Sequence, residues 1–355
     1  MNAVNVETQN INYYSNPPPR INIKKKASCK KIIVIGTIVL VIVTFMTYMF
    51  YAFFYFKQIP LKTVIDDYVL IHGGTFQMGS PKDENREEKK YKKEDDETQH
   101  KVEVGDFYIS KYEITLKKFK TFINEAVHKT EAEKRSNYSI FDFNKNTWNV
   151  FENIDWQCNV SGGTQTDANQ PVIYVSWKAA NEYCEWLSGK LSREVDKKVI
   201  VRLPTEAEWE YACRAGTTTA FSTGNNLTTA EANYDGNLPY DDNPKGKFIK
   251  NTTSVGSYPP NRWGLYDMHG NAYEWCNDWY SSNYYDECKK KGTVKNPTGP
   301  TSGKYHILRG GSWRSYGKSC RSADRPGDPS ESLDDTNNFV NLVSYVSFRP
   351  VIEIF

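Results

Sequence analysis

The longest apolar segment of the chain lies near its N-terminus, where Ile32–Phe56 contains no charged side chain. A helix of these residues would rise about 37 Å, which exceeds the roughly 30 Å hydrocarbon core of a bilayer. We therefore predict a transmembrane helix over residues 32–56. A cleaved signal peptide is the alternative, but its apolar region is typically shorter and no small-residue cleavage site follows Phe56.

Charge on either side of this segment predicts its orientation. Lysines crowd residues 24–31 before it, whereas Lys57 closes it on the other side. Because basic residues favour the cytoplasmic side, we expect residues 1–31 to form a disordered basic tail in the cytoplasm. The linker 57–67 and a domain over 68–355 would then lie outside. The prediction is a single-pass membrane protein with an extracytoplasmic domain.

Beyond the linker, alternation of apolar and polar positions indicates short strands. Tyr68–Ile71 is a predicted strand, followed by a turn at Gly73 and Gly74. Residues 101–115 alternate as a half-buried pair of strands would. The stretch 81–99 alternates in charge sign with almost no apolar content, which is typical of a solvated loop.

Three amphipathic helices are predicted from caps and apolar stripes. Thr115 can cap the first helix and Ser176 the second. Thr205 and Glu208 form a capping box that begins the third, and Gly216 can end it. The apolar face of each helix predicts a core contact.

The remaining pattern is weak. Residues 130–170 show no sustained periodicity and are predicted to be long loops. From Ala220 onward the chain is rich in turns, with short aromatic segments. Together these features predict an α+β fold with short strands and much irregular structure.

Composition adds three points. The chain has 17 Phe, 24 Tyr and 9 Trp, which suits irregular segments held by buried aromatic rings. The net charge is +2, but residues 1–31 carry +5, so the rest sums to −3 and nucleic-acid binding is not expected. Six of the seven cysteines follow the apolar segment. They could form up to three disulfides or remain buried free thiols, and the sequence does not choose between the two.

Candidate chemistry is densest at residues 266–280, YDMHGNAYEWCNDWY. Asp267 and Glu274 supply carboxylate oxygens, and Gly270 and Ala272 can supply backbone carbonyls. Oxygen ligands on an irregular loop suit a hard cation such as calcium. The alternative is that the two acids form only an Asx-turn and a surface charge.

This stretch, with GGTFQMGS at 73–80, RLPTEAEWEYACRAG at 202–216, LRGGSW and CRSADR, resembles the sulfatase-modifying-factor family, whose best-known members are formylglycine-generating enzymes. The resemblance implies a calcium-stabilised, loop-rich variant of the C-type-lectin-like fold. It identifies Asp267, Gly270, Ala272 and Glu274 with the family's calcium loop, with Asp267 where the enzymes carry Asn. A second site would use Asn233 and the Tyr234 carbonyl, but its acidic position falls near Lys247.

The same resemblance indicates which positions would hold the catalytic metal. The enzymes oxidise a substrate cysteine with oxygen, using copper held by two cysteines after the GGS motif. Counting from Trp313 places those positions at Ser315 and Cys320. Because Cu(I) prefers thiolate ligands and a serine hydroxyl is a poor one, copper binding is not expected here.

Two further features of the family are not carried over. Cys184 and Cys213 match cysteines that form disulfides in the enzymes, but the partner positions are interpreted as Arg325 and Pro350. Iron-dependent relatives bind their metal on an added domain, and the five histidines of this chain lack the spacing of a facial triad.

We therefore predict a membrane-anchored, extracytoplasmic module that binds or assembles with an exported or surface protein, with its C-terminal surface as the contact face. Two alternatives remain open at this stage. One is a formylglycine-generating or related oxidase acting on cysteine in exported proteins. The other is a C-type-lectin-like ligand-display protein, whose variable residues would follow the GGSW motif.

Overall fold

The computed structural model describes residues 37–50, 65–86, 97–127, 137–142, 147–152, 154–326 and 344–355. The chain divides into two compact units, Met1–Gln58 and Ile59–Phe355. In the first, residues 37–50 form helix α1. The rest of the predicted span lies outside the described residues. Within the ranges given, no helix has the length and apolar character needed to cross a membrane, so the span stays a prediction.

The second unit is a mixed α+β fold of short elements. Its strands are β1 (Tyr68–Ile71), β2 (Gly74–Met78), β3 (His100–Val104), β4 (Phe107–Ser110), β5 (Asn137–Asp142), β6 (Thr147–Glu152), β7 (Val199–Arg202), β8 (Tyr273–Trp279), β9 (Val294–Lys295), β10 (His306–Arg309), β11 (Val346–Ser347) and β12 (Val351–Ile354). Its helices are α2 (Leu116–Ala126), α3 (Trp177–Val195), α4 (Glu206–Arg214) and α5 (Tyr284–Lys291), with a 3₁₀ turn at Gly317–Cys320.

The strands form several small sheets in place of one large sheet. Their orders are β1-β4-β12-β7, β10-β8-β11, β2-β3-β9 and the pair β5-β6. The two strands predicted within residues 101–115 are present, but β3 pairs with β2 and β9, whereas β4 pairs with β1 and β12. The predicted pairing was therefore wrong. Alternation reveals that a segment is extended and half-buried, but it does not choose the partner.

The helix starts are confirmed. Thr115 Oγ1 accepts a hydrogen bond from the Lys118 N–H, and Thr205 forms the capping box with Glu208. Helix α4 ends at Arg214, two residues before the predicted terminator Gly216, because Ala215 already takes a left-handed backbone with φ 47°. Gly216 follows with φ 85°. A left-handed residue at this point gives the carbonyls of the last turn their hydrogen-bond donors.

The prediction of long loops over residues 130–170 was wrong in part. Strands β5 and β6 pair antiparallel, from Asn137 opposite Glu152 to Asp142 opposite Thr147. Each strand is six residues long. At that length, an alternation interrupted by polar residues cannot be told from a loop by pattern alone.

Buried ion pairs hold the C-terminal third of the domain against its earlier parts. Arg309 Nη2 contacts Glu210, and Arg325 Nε donates to Glu206 at 2.7 Å. Arg321 donates to Glu97 at 2.9 Å and 3.0 Å. These contacts were not predicted from the sequence, because each joins residues about a hundred or more positions apart.

Candidate functional site

The segment after β10 carries the GGSW motif and crosses over a buried cysteine. Gly310 and Gly311 have φ values of 96° and 78°, which favour glycine. A Cβ atom on Gly311 would lie 2.6 Å from Cys320 Sγ. The second glycine therefore allows the backbone to pass directly over the thiol.

The structure brings Ser315 and Cys320 to the same place, around Ser312. The Ser312 N–H donates to Ser315 Oγ at 3.0 Å, and the two hydroxyls are 3.0 Å apart. The Cys320 thiol also contacts the Ser312 backbone. Ser315 is 8% exposed and Cys320 is fully buried. The predicted neighbours are thus close, but one is a hydrogen-bonded hydroxyl.

Without a metal ion, the Cys320 side chain is a protonated thiol. Burial, with a smaller contribution from Asp324, raises the pKa of the Cys320 thiol far above its usual range, so the group is a neutral thiol. The resemblance implies that two thiolates hold Cu(I). Cys320 could supply one of them by losing its proton to the ion, but the hydroxyl of Ser315 cannot supply the other, so the pair does not fit that requirement.

The other cysteines do not complete the site. All six cysteines from Cys158 onward are free. Cys213 Sγ lies 3.6 Å from Ser322 Oγ, whereas Arg325 pairs with Glu206. Arg325, one of the two positions interpreted as disulfide partners, is thus held in a buried ion pair with Glu206.

Residues 267–274, here called the acidic loop, contain the two predicted carboxylate ligands. Within them, the Glu274 carboxylate accepts hydrogen bonds on both oxygens. Arg349 donates to Glu274 through Nε and Nη2, each at 2.6 Å, and Trp209 Nε1 donates at 2.8 Å. Glu274 is 1% exposed and Arg349 fully buried. This bidentate pair gives the Glu274 carboxylate a positive partner from the protein itself. Arg349 was not predicted as part of this site from the sequence.

Asp267 has one engaged oxygen and one bare oxygen. Oδ2 accepts from the Gly256 N–H at 2.6 Å, while Oδ1 is buried and has no hydrogen bond to another described residue. Burial, reinforced by the nearby Glu274 carboxylate, raises the pKa of Asp267 to about 6. Glu113, which was also missed, adds a third buried carboxyl group, and burial raises its pKa strongly. Asn271 Nδ2 donates to Glu113 at 3.0 Å.

The two predicted cation sites lie against one another. Gly270 forms a parallel bridge with Asn233, whose carbonyl accepts from the Asn271 N–H at 2.8 Å. Asn233 Oδ1 is buried and without a hydrogen bond among the described residues, and the Tyr234 hydroxyl donates to the Leu227 carbonyl at 3.0 Å.

The acidic residues do not close a full ligand set. At the position counted for the acid of the second site stands Lys247, whose side chain is exposed. In the described part of the chain, no group of three or more His, Cys, Asp and Glu side chains could hold a metal ion. Asp267, Gly270, Ala272 and Glu274 stay a predicted calcium loop.

His269 connects the acidic loop to the GGSW segment. Its Nδ1 lies 2.8 Å from the Cys320 carbonyl, and its Nε2 accepts from the Ser222 N–H at 3.0 Å. These partners fix the neutral tautomer with the proton on Nδ1. Burial lowers the pKa of His269 to about 4, so the ring is neutral near pH 7. The sequence offered no signal for this role beyond the position of His269 within the loop.

The comparisons with known proteins agree with this architecture. A sequence model of the sulfatase-modifying factor enzyme 1-like domain matches residues 56–339. The chain is 31% identical over 293 residues to a formylglycine-generating enzyme of Streptomyces coelicolor, covering 75% of this chain and 86% of that protein. It is 29% identical over 296 residues to the inactive C-alpha-formylglycine-generating enzyme 2 of Bos taurus, covering 76% and 86%.

Two further relatives differ in length or identity. The chain is 31% identical over 277 residues to the serine/threonine-protein kinase pkn1 of Chlamydia pneumoniae, but the match covers only 38% of that protein. The solved structure of PvdO from Pseudomonas aeruginosa superposes with a TM-score of 0.54 at 24% identity, covering 81% of this chain and 94% of that one. The likeness to PvdO shows the fold alone. From the match over residues 56–339, this chain belongs to the sulfatase-modifying factor family.

Proposed function

We propose that this domain is a binding module of the sulfatase-modifying factor family without copper-dependent cysteine oxidation. One observation carries the proposal. The position of the first copper cysteine is Ser315, a hydroxyl hydrogen-bonded to Ser312, and its neighbour Cys320 is a fully buried thiol. Relatives named as enzymes and one named inactive share the fold, so fold alone does not decide activity.

The surface beside Ser315 suits contact with an exported or surface protein. The Asp235 N–H donates to the Ser315 carbonyl and the Gly317 N–H to the Leu238 carbonyl, each at 2.9 Å. These bonds join two loops that leave Tyr316 46% and Leu238 41% exposed. Large apolar side chains held rigidly at a surface are typical of protein contact sites. We propose this C-terminal surface as the contact face.

The test is an activity assay on the full chain. We expect no aldehyde product from a cysteine-containing sulfatase peptide supplied with Cu(I), oxygen and reductant, because Ser315 cannot act as the second thiolate. Mass spectrometry of the peptide gives the readout. Formylglycine made by the unaltered chain would overturn the proposal in favour of the oxidase. Product formed only by the Ser315→Cys variant would support it, because the pocket would then lack just one ligand.

Calcium binding at the acidic loop is a second proposal. It is supported by the bare Asp267 Oδ1, an oxygen that a cation could satisfy, whereas Glu274 already has Arg349 as its counter-charge. We expect the chelator EGTA to lower the melting temperature, because an ion that binds only the folded state stabilises it. Asp267→Ala, which removes both side-chain oxygens, should abolish most of the difference, with Asp286→Ala as the matched control on α5. An unchanged melting temperature on chelation would contradict the site.

We also propose that residues 32–56 anchor the domain to a membrane with its N-terminus in the cytoplasm. The support is the uncharged segment and the lysines that precede it. Protease added to intact cells should remove an epitope tag placed after Phe355 and spare one placed before Asn2. A protected C-terminal tag in intact cells, degraded only after lysis, would contradict this topology.

A further inference from the structure

A polar cavity lies on the domain surface where segments distant in sequence meet. Its volume is about 440 Å³, which falls in the range of small-ligand pockets. The lining comes from the β3–β4 turn, β7, the start of α4, β8, the segment after β9, and β12. None of the predicted calcium or copper positions lines this cavity, so it is separate from the sites described above.

The charged side chains of the lining carry an excess of negative charge. Three carboxylates, those of Asp106, Glu208 and Glu353, line the cavity against the single guanidinium of Arg202, which leaves a charge of −2. A hydrogen bond from the Gly73 N–H lowers the pKa of Asp106, so this carboxyl group is ionised near pH 7. Because a cleft lined by one sign of charge concentrates the opposite sign, the lining favours a cationic occupant.

Arg202 compensates Glu208 more fully than it compensates Glu353. Its Nη1 and Nη2 donate to the two oxygens of Glu208, each at 2.7 Å. On Glu353 only Oε1 accepts, from Arg202 Nε at 2.9 Å and Nη2 at 2.5 Å, and Oε2 has no hydrogen bond to another described residue. The Asp106 side chain is 65% exposed, with the imidazole of His72 at 3.5 Å. The excess charge therefore lies on Glu353 and Asp106.

These carboxylates do not surround one point. Within the described ranges, no group of three or more His, Cys, Asp and Glu side chains could hold a metal ion. A divalent metal needs several oxygens around a single centre. Asp106 lies in the β3–β4 turn and Glu353 on β12, at separate parts of the lining. A cation that meets both must carry its positive charges on separate atoms, as an organic molecule with two ammonium groups does.

The neutral part of the lining also suits ammonium groups. The side chains of Asn277 and Thr298 line the cavity and have no hydrogen bond to another described residue. An ammonium group has three N–H donors and no acceptor, so it uses amide and hydroxyl oxygens beside a carboxylate. The residues that line the cavity include no aromatic and no branched aliphatic side chain. A short unbranched chain between the charges fits this lining better than a bulky apolar body.

We propose that this cavity binds a linear diamine, with one ammonium group at Asp106 and the other at Glu353. It gives the domain a small cationic ligand at a site apart from Ser315. Binding there depends on the charge of the lining and not on the loss of oxidase activity. A diamine titration and the peptide oxidation assay report on different residues, so either can fail without the other.

The test is calorimetric titration of the full chain in a nonionic detergent, at low salt and about pH 8, where an ordinary imidazole is neutral. Putrescine and cadaverine are the probes, and butylamine is the matched monoamine. We expect a dissociation constant on the order of 1 mM for at least one diamine. Butylamine should bind about threefold to fivefold more weakly, because it forms one ion pair fewer at a partly exposed site.

Two variants remove one carboxylate each. Glu353→Gln and Asp106→Asn should each weaken diamine binding by about threefold to fivefold and abolish the preference for the diamine over butylamine. Asp242→Asn, which removes an exposed carboxylate outside the cavity, should leave both unchanged. Thr298→Lys places an ammonium group of the chain at the exposed side of the cavity and should abolish diamine binding.

Melting temperatures of the variants separate loss of binding from loss of folding. Asp106 and Thr298 are exposed, so their variants should melt within about 1 °C of the unaltered chain. Failure of the unaltered chain to bind either diamine would overturn the proposal. So would a diamine preference that persists in both Glu353→Gln and Asp106→Asn, or displacement of the diamine by equimolar Mg²⁺, which would show an acidic surface without selection for separated charges.

Discussion

Replacing Glu210 with alanine should lower the free energy of unfolding by about 3–5 kcal/mol. Glu210 is fully buried and serves two arginines: Arg214 Nε donates at 2.8 Å, and Arg309 Nη2 contacts the other oxygen. It also accepts from the Gly79 N–H at 2.9 Å. Burial opposes ionisation, but the two arginines outweigh it and lower the pKa of Glu210. Alanine would leave two buried cations with too few partners.

The melting temperature of the purified chain measures this effect. Removal of a buried partner should lower it by roughly 6–20 °C for a domain of this size. Glu125→Ala is the matched control, because Glu125 also pairs with a cation, Lys190 at 2.8 Å, but at the surface. That change should cost about 0.5 kcal/mol or less. Equal and small shifts for the two variants would show that the buried ion pairs do not hold the C-terminal third in place.

Local signals in the sequence predicted the helices well. Thr115, Ser176 and Thr205 act as caps through side chains that reach N–H groups three residues ahead. Such contacts depend only on nearby residues, so a single sequence contains them. Strand partners do not have this property. The separation of β3 and β4 into different sheets depends on β2, β9, β1 and β12, which lie far along the chain.

The candidate site divides in the same way. Motif spacing predicted that Ser315 and Cys320 would lie together, and they do, around Ser312. It did not reveal that Arg349 would form an ion pair with Glu274, because 75 positions separate the two residues. The available signal was weak: Arg349 lies between the apolar residues Phe348 and Pro350, and an arginine buried among apolar groups needs an acidic partner.

Copper affinity should respond more strongly than any other property to a single substitution. Ser315→Cys would place a second thiol where the chain already holds Cys320, and two thiolates match the preference of Cu(I). We expect the variant to bind Cu(I) more tightly than the unaltered chain by on the order of 10³-fold. Ser315→Ala is the matched control. It removes the hydrogen bond to Ser312 without adding a thiol, and it should show no gain.

The measurement that tests the central claim most directly is a competition titration of the unaltered chain against a chromophoric Cu(I) chelator, under anaerobic conditions. We predict that the unaltered chain takes no Cu(I) from a chelator that holds it with nanomolar affinity, whereas Ser315→Cys takes one equivalent. Stoichiometric transfer of Cu(I) to the unaltered chain, lost on Cys320→Ser substitution, would contradict the account. It would show that Ser315 and Cys320, as they stand, form a working copper site.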